Sequence, residues 1–172
     1  MKTLYSGAHL DLVERDTWEF VQRRCSGVVC VVAVTVAGEL VLIEQHREAL
    51  RSRVVELPAG LVGDEEGDDG EDFAGAARRE LIEETGYDCD ALEHIGRGPS
   101  SSGLTSEVID FYRASTVRRL HEGGGVGGEE IVVHLVPLAE VRAWLAAKEA
   151  AGCLVDPKIA AALWMSKLDR ET

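Results

Sequence analysis

The chain is short of positive charge. Eighteen Lys and Arg stand against 31 Asp and Glu, a formal net charge of −13 over 172 residues. Binding a phosphate backbone needs a basic face, so nucleic acid is excluded as a partner. An anionic membrane surface is disfavoured for the same reason, and an anionic small ligand would need a cation to mediate. Cysteine is scarce and unpatterned: Cys25, Cys30, Cys89 and Cys153 form no CxxC or metal-ligand spacing. Two of them sit in or beside an apolar run, where cysteine acts as a small hydrophobe, and the expected setting is reduced and cytoplasmic. The N-terminal MKTLYSGAHLDLVERD lacks the apolar core of a signal peptide. The longest apolar run, VVCVVAVTVA (28–37), falls short of the roughly 20 residues that span a bilayer and reads as a buried strand. His9, His46, His94, His121 and His134 have no partner spacing for zinc.

What is present is enough apolar material, 45% of the residues, to build the core of one domain with a small accessory unit. Residues 3–24 alternate between apolar and polar with a turn near Glu14–Asp16 and predict one or two strands of a hairpin, including TWEFVQR (17–23). The run 28–37, a turn at Ala37-Gly38 and ELVLIEQHR (39–47) predict a second hairpin. A short strand, RVVELP (53–58), ends at Pro58 and Gly60. GDEEGDDGED (63–72) is too acidic and glycine-rich to be buried and reads as a loop.

Asp72 is placed to cap a helix running to about Thr85, with Phe73, Ala76, Ala77 and Leu81 on its apolar stripe and Gly86 at its C-cap. Further strands are expected at 91–96, 107–114 and 130–138, with HEGGGVGGEE (121–130) as a mobile loop between the last two. Alanine-rich helices are expected at 138–150 and 156–169, with Pro157 in the first turn of the second. Without a regular βαβ rhythm, the fold class is α/β with a mixed sheet in a sandwich.

The helix ends in RRELIEETGY (78–87). Glu80, Glu83 and Glu84 are related by three and four residues and share a face. Like charges at that spacing cost about 0.2–0.5 kcal/mol per pair, and the negative end of the helix dipole makes the placement worse. A hard divalent cation reverses the balance, because Mg²⁺ takes a few carboxylates together with substrate phosphates. Arg78 and Arg79 add local counter-charge, and an arginine fork can orient a glutamate.

The surrounding stretch resembles the Nudix box, G-x5-E-x7-R-E-U-x-E-E-x-G-U with U aliphatic. Glu71, seven intervening residues, Arg79-Glu80-Leu81, Ile82, Glu83-Glu84, Thr85 and Gly86 match it, and Tyr87 stands at the last aliphatic position. Gly60 is the opening glycine, but ten residues separate it from Glu71 where the consensus has five, which reads as an acidic insertion in the loop. The resemblance implies the Nudix fold, an α/β/α sandwich, and Mg²⁺-dependent hydrolysis of a nucleoside diphosphate joined to another group, with Mn²⁺ as the substitute ion. It assigns metal binding to Glu80, Glu84 and the backbone of Ala59, and an assisting catalytic role to Glu83 and Arg79.

Beyond the box, TWEFVQR, EQHREALRSRVVELPAG and DPKIAAAL are similar to ADP-ribose pyrophosphatases and related nucleoside diphosphate sugar hydrolases. The resemblance implies an N-terminal antiparallel sheet, residues 1–26, exchanged across a homodimer, and a Nudix domain over 27–172. It makes Trp18 and Phe20 base-stacking candidates, and Arg23, Arg47, Arg53 and Glu56 candidates for substrate contacts. GPSSSGLTSEVIDFY (98–112) resembles the subfamily segment PSPGxxxE, with Gly103 and Glu107 matching and Ser102 where a proline is expected. That departure leaves other sugars, such as the mannose of GDP-mannose, open. Glu129, ahead of Ile131, maps to a glutamate that binds metal or activates water, with Glu130 as its neighbour. The competing readings are a Nudix enzyme for dinucleoside polyphosphates or other substrates, and a nucleotide-sugar sensor without catalysis. The intact glutamates and the lack of a basic helix-turn-helix argue against the sensor.

Overall fold

The computed structural model of the chain describes residues 1–63, 72–125, 128 and 130–170. Glu71, Glu129 and the insertion from 64 to 70 lie outside the described residues, so the expectations placed on them stop there.

The N-terminal segment forms three strands rather than one or two: β1 (Lys2–Ser6), β2 (Leu10–Arg15) and β3 (Trp18–Arg23), in the order β1-β2-β3. The expected turn is a two-residue hairpin loop at Asp16 and Thr17, both with positive φ (50° and 70°), the backbone that matches strand twist. A second turn, closed by the Gly7 N–H on the Leu10 carbonyl at 2.9 Å, creates β1. Ser6-Gly7 is a turn dipeptide, but the alternation on either side of it reads as one strand.

The remainder runs β4 (Gly27–Thr35), β5 (Glu39–Arg47), β6 (Ser52–Glu56), β7 (Ala59–Val62), α1 (Phe73–Thr85), β8 (Tyr87–Asp88), β9 (Ala91–Pro99), β10 (Val108–Arg119) and β11 (Val132–Pro137). A 3-10 turn (Leu138–Glu140), α2 (Val141–Ala150), β12 (Leu154–Val155) and α3 (Lys158–Met165) follow. The sheet order is β12-β6-β5-β4-β10-β8, with β11 added to β5, β7 to β4 and β9 to β10. The β4–β10 and β12–β6 pairs are parallel and the others antiparallel, so the sheet is mixed as expected.

The apolar run at β4 explains the layering. Side chains alternate across a strand. Cys30 and Val32 pack with Leu40, Leu42, Val141, Ile159 and Leu163 on one face. Val29, Val31 and Ala33 pack with Val41, Ala76, Ala77 and Leu81 of α1 on the other. Each Val, Leu or Ile among them contributes about 1.5–3 kcal/mol when fully buried. Helices on both faces give the α/β/α sandwich. The edge of β4 is shared: Val34 pairs with Leu40 of β5, whereas Gly27–Cys30 pair with Val62–Ala59 of β7. The chain between β6 and β7 therefore turns across the sheet and delivers Ala59 and Gly60 to α1.

The N-terminal sheet docks onto this sandwich. The Val21 N–H donates to the Leu104 carbonyl at 2.8 Å, and the Ser106 N–H to the Val21 carbonyl at 3.1 Å. No helix among the described residues is long and apolar enough to cross a membrane.

Candidate active site

α1 begins and ends where the sequence places it. The Asp72 side chain accepts from the Gly75 N–H at 2.6 Å, and Gly86 takes the left-handed conformation (φ 74°, ψ 9°) with its N–H on the Ile82 carbonyl, satisfying one orphan group of the last turn. Ala76, Ala77 and Leu81 pin the helix to the sheet. That rotation turns Glu80 and Glu84 toward β7.

Glu84 is 5% exposed, and its Oε2 accepts from the Ala59 N–H at 2.9 Å. The Glu80 carboxylate lies directly over Gly60, filling the volume that a β-carbon there would need. Arg79 lies between the carboxylates: Nη1 stands 2.8 Å from Glu80 Oε1 and 3.3 Å from Glu83 Oε2, and Nη2 donates to the Leu61 carbonyl at 3.0 Å. This guanidinium offsets part of the repulsion within the cluster. Arg78 faces elsewhere and pairs with Asp88 at 2.7 and 3.0 Å. Its hydrogen bonds, joined by a backbone N–H and the charges of Arg78 and Arg118, outweigh the burial of the Asp88 carboxyl and hold its pKa at about 2.

Part of this arrangement lines a cleft of about 920 Å³. Ala59, Gly60, Glu80 and Glu84 line one side, and Arg47, Glu56, Arg23 and Glu107 line the walls. The wall residues come in ion pairs, Arg47 Nε to Glu56 Oε2 at 2.8 Å and Arg23 Nε to Glu107 Oε2 at 2.6 Å. Each pair holds its arginine in place and leaves the other guanidinium donors for a ligand. Ser100, first of the serine run before Gly103, lines the cleft as polar surface, and so do residues given no role in the sequence reading: Leu50 and Leu154, and Asp156 and Lys158 at the start of α3. The signal for the last two was the DPK of the tail segment, which was matched as a stretch but given no role.

Several expected residues lie outside this cleft in the single chain. Arg53 sits three residues before Glu56 on β6, so period-two alternation puts it on the opposite face. There its Nε reaches Glu44 at 2.5 Å. Glu44 is buried and also receives Lys148 Nζ at 2.6 Å and His134 Nε2 at 2.9 Å. Burial alone would raise its pKa, but the hydrogen bonds from Lys148, Arg53 and His134 prevail and hold it at about 2. Glu44 therefore ties α2 and β11 to the sheet, and Arg53 steadies it there, away from the cleft. Gly103 has open space around its α-carbon and does not line the cleft. Phe20 is half-buried opposite Val13, with Arg15 stacked 5.6 Å from its ring centre. Trp18 is 62% exposed on the N-terminal sheet.

The donor set fits a hard divalent cation. Two carboxylates, Glu84 and Glu80, meet the Ala59–Gly60 backbone, Glu83 stands beside them on Arg79, and the cradle over Gly60 brings an oxygen pair against the main chain. Among the described residues no group of three His, Cys, Asp or Glu already stands as a metal cluster. Glu84 is turned to the Ala59 N–H and Glu80 to Arg79, so the contact observed at Ala59 is through its amide rather than its carbonyl.

Comparison with known proteins agrees with this arrangement. The NUDIX domain model matches residues 24–157. The chain is 36% identical over 109 residues to a methanol dehydrogenase activator of Bacillus methanolicus, covering 63% of this chain and 56% of that protein. It is 31% identical over 137 residues to an ADP-ribose pyrophosphatase of Bacillus subtilis (75% and 71%). It is 36% identical over 109 residues to a GDP-mannose pyrophosphatase of Cronobacter sakazakii (59% and 54%). The match thus spans little more than half the length of two of these three relatives. The fold matches a crystal structure of an ADP compounds hydrolase with a TM-score of 0.71 at 20% identity, over 96% of this chain and 89% of that one.

Proposed function

This chain belongs to the Nudix family, and on that premise we propose that it hydrolyses the diphosphate bond of a nucleoside diphosphate sugar, ADP-ribose or a relative. The products are a nucleoside monophosphate and a sugar phosphate. The observation that carries this reading is the convergence of Glu80 and Glu84 on the Ala59–Gly60 backbone, with Glu83 joined to Glu80 through Arg79, beside a cleft walled by Arg23 and Arg47. An acidic floor under basic walls suits an anionic diphosphate only when a cation lies between. Nudix hydrolases use divalent ions, and Mg²⁺, or Mn²⁺ in its place, would be held by Glu80 and Glu84 with the Ala59 backbone, with Glu83 assisting. When bound, that ion neutralises phosphate oxygens and lowers the pKa of a bound water.

The chain's own residues orient and bind. Arg79 fixes the rotamers of Glu80 and Glu83. Arg47 and Arg23, steadied by Glu56 and Glu107, offer their remaining N–H groups to the diphosphate and the distal sugar. Glu129 is proposed to help handle the attacking water. The exposed Trp18, together with Met1, Tyr5, Leu4 and Leu10 on the N-terminal strands, supports residues 1–26 as a homodimerisation unit that brings Trp18 and Phe20 to a partner's base site. A cytoplasmic setting is proposed from the four free cysteines.

The test is incubation with Mg²⁺ and ADP-ribose, ADP-glucose, GDP-mannose, UDP-glucose, NADH and a dinucleoside polyphosphate, with products separated by chromatography. Turnover of a nucleotide sugar to monophosphate and sugar phosphate is expected, and its absence across the panel would sink the reading. Preference for GDP-mannose would fit Ser102 in place of the expected proline. Sedimentation of the wild type and Trp18→Ala tests the dimer, and a wild-type monomer overturns it.

A further inference from the structure

The glycines after His121 read in the sequence as a loop free to move. The structure ties the first half of that loop to α1. A helix leaves its last four carbonyls without partners inside the helix. Leu81, one residue before these four, has its carbonyl on the Thr85 hydroxyl, and the first of the four, the Ile82 carbonyl, accepts from the Gly86 N–H at 2.8 Å. The next two are the carbonyls of the box glutamates themselves. Glu83 accepts from the Gly125 N–H at 3.1 Å, and Glu84 from the Gly124 N–H at 2.9 Å. Leu120 and His121 in turn donate to the Gly86 carbonyl at 2.7 and 3.2 Å.

Main chain meets main chain in this contact. A β-carbon on Gly123 would overlap the Thr85 backbone and stand 2.8 Å from the Glu84 carbonyl oxygen, and one on Gly86 would collide with the His121 carbonyl. Both glycines also have φ near +74°, which other residues rarely adopt. His121 Nδ1 accepts from the Gly123 N–H at 3.1 Å and fixes the curl of the turn.

The contact answers the question of the misplaced carboxylates. Two backbone N–H dipoles are aimed at the helix end where the macrodipole is negative, so they offset locally the field that opposes Glu83 and Glu84. They also fix where those two residues' α-carbons sit relative to Ala59 and Gly60.

We propose that the turn 121–125, through Gly123, is a positioning element of the catalytic site: it sets the placement of Glu83 and Glu84 and hence the affinity for the divalent ion. The inference rests on the Nudix hydrolase reading for its chemistry. Gly128 supplies the comparison, since it too has positive φ (94°) but nothing within 4 Å of where a β-carbon would lie.

The experiment titrates Mn²⁺ into wild type, Gly123→Ala, His121→Ala and Gly128→Ala, reading affinity from water-proton relaxation, with metal-free melting temperature and kcat and KM for the preferred nucleotide sugar alongside. Gly123→Ala should weaken Mn²⁺ binding by about tenfold or more, the range seen when a ligand's supporting partner is removed, with kcat falling more than KM changes. His121→Ala should shift affinity in the same direction by a smaller factor, and Gly128→Ala should bind as wild type. A folded Gly123→Ala with wild-type affinity overturns the proposal, as does an equal loss in Gly128→Ala. Should Gly123→Ala not fold, unchanged affinity in His121→Ala overturns it. Wild type that binds Mn²⁺ but hydrolyses no nucleotide sugar would instead strike the functional reading, leaving the affinity comparison intact as a test of the turn.

Discussion

Glu80 and Gly60 share one volume: the glutamate's carboxylate lies where residue 60 would carry its β-carbon. Gly60 has an ordinary backbone conformation, since it is absent from the positive-φ residues, so its requirement is space rather than flexibility. Gly60→Ala should therefore fold, because the clash falls on the end of a movable side chain, yet displace Glu80 by an ångström or more. Misplacement on that scale costs about a hundredfold in rate. Steady-state kinetics with a melting curve checks this, and a folded Gly60→Ala within threefold of wild type would refute the role given to Glu80.

Glu84→Gln separates two effects of opposite sign. Relief of the like-charge pair with Glu80 would stabilise the metal-free protein by about 0.2–0.5 kcal/mol. The Glu84 carboxylate, however, accepts the Ala59 N–H while buried, and a charge-assisted bond is about twice as strong as the neutral one that replaces it, a loss of about 0.5–1.5 kcal/mol. The second effect is larger, so the metal-free variant should melt slightly lower than wild type, while turnover is lost. Repulsion considered on the sequence alone points to the opposite sign. Melting temperatures in EDTA decide: a higher value for Glu84→Gln means that repulsion dominates.

The sequence was most legible where local signals agreed. The Asp72 cap, the apolar stripe of α1 and Gly86 as its C-cap could be read directly, and the run at β4 marked the sheet's centre, because each depends on a short stretch of chain. The convergence of Glu84 on Ala59, 25 residues apart, was reachable only through the family resemblance. Arg53 and Glu56 were assigned together because they share a matched segment, although their spacing of three on a strand separates their faces. The Glu44 cluster was missed because its partners, Arg53, His134, Lys148 and Cys153, lie 9 to 109 residues away and no pattern links them. The anchored glycine turn was read as mobile because glycines signal both freedom and close approach, and only the structure distinguishes the two.

Arg47 and Arg53 make a paired prediction. Arg47→Ala removes a cleft donor and should raise KM about tenfold or more, as loss of a charged hydrogen bond does, and it should also lower the melting temperature, because the buried Glu56 carboxylate loses its arginine. Arg53→Ala should leave KM unchanged and lower stability by about 1 kcal/mol. That figure is modest because the Arg53 side chain is partly exposed and Glu44 keeps Lys148. Measuring both constants and the melting temperature on each variant checks the assignment, and a KM effect at Arg53 would return it to the substrate site.

The Glu44 cluster should govern the acid limb of stability. Its pKa in the fold is about 2 against an ordinary 4.5, burial being outweighed by Lys148, Arg53 and His134. A depressed carboxylate stabilises the fold above its unfolded pKa, and the contribution fades as pH falls from about 4.5 toward 2, because the unfolded state takes up the proton first. The shift corresponds to something on the order of 3 kcal/mol. His134 acts in the same direction at higher pH. Burial lowers its pKa below 6.5 despite the opposing hydrogen bond to Glu44, so the unfolded state binds its proton first and stability begins to decline below pH 6.5. Urea unfolding between pH 7 and pH 3 should show wild type losing stability in both windows. Glu44→Gln should be less stable at pH 7 and flatter below pH 4.5, whereas His134→Ala should remove the decline that begins below pH 6.5 and, by taking one hydrogen bond from Glu44, only lessen the decline below pH 4.5. A Glu44→Gln curve parallel to wild type across the acid range would place the acid sensitivity elsewhere, with the Asp88 pair of Arg78 and Arg118 as the next group to remove.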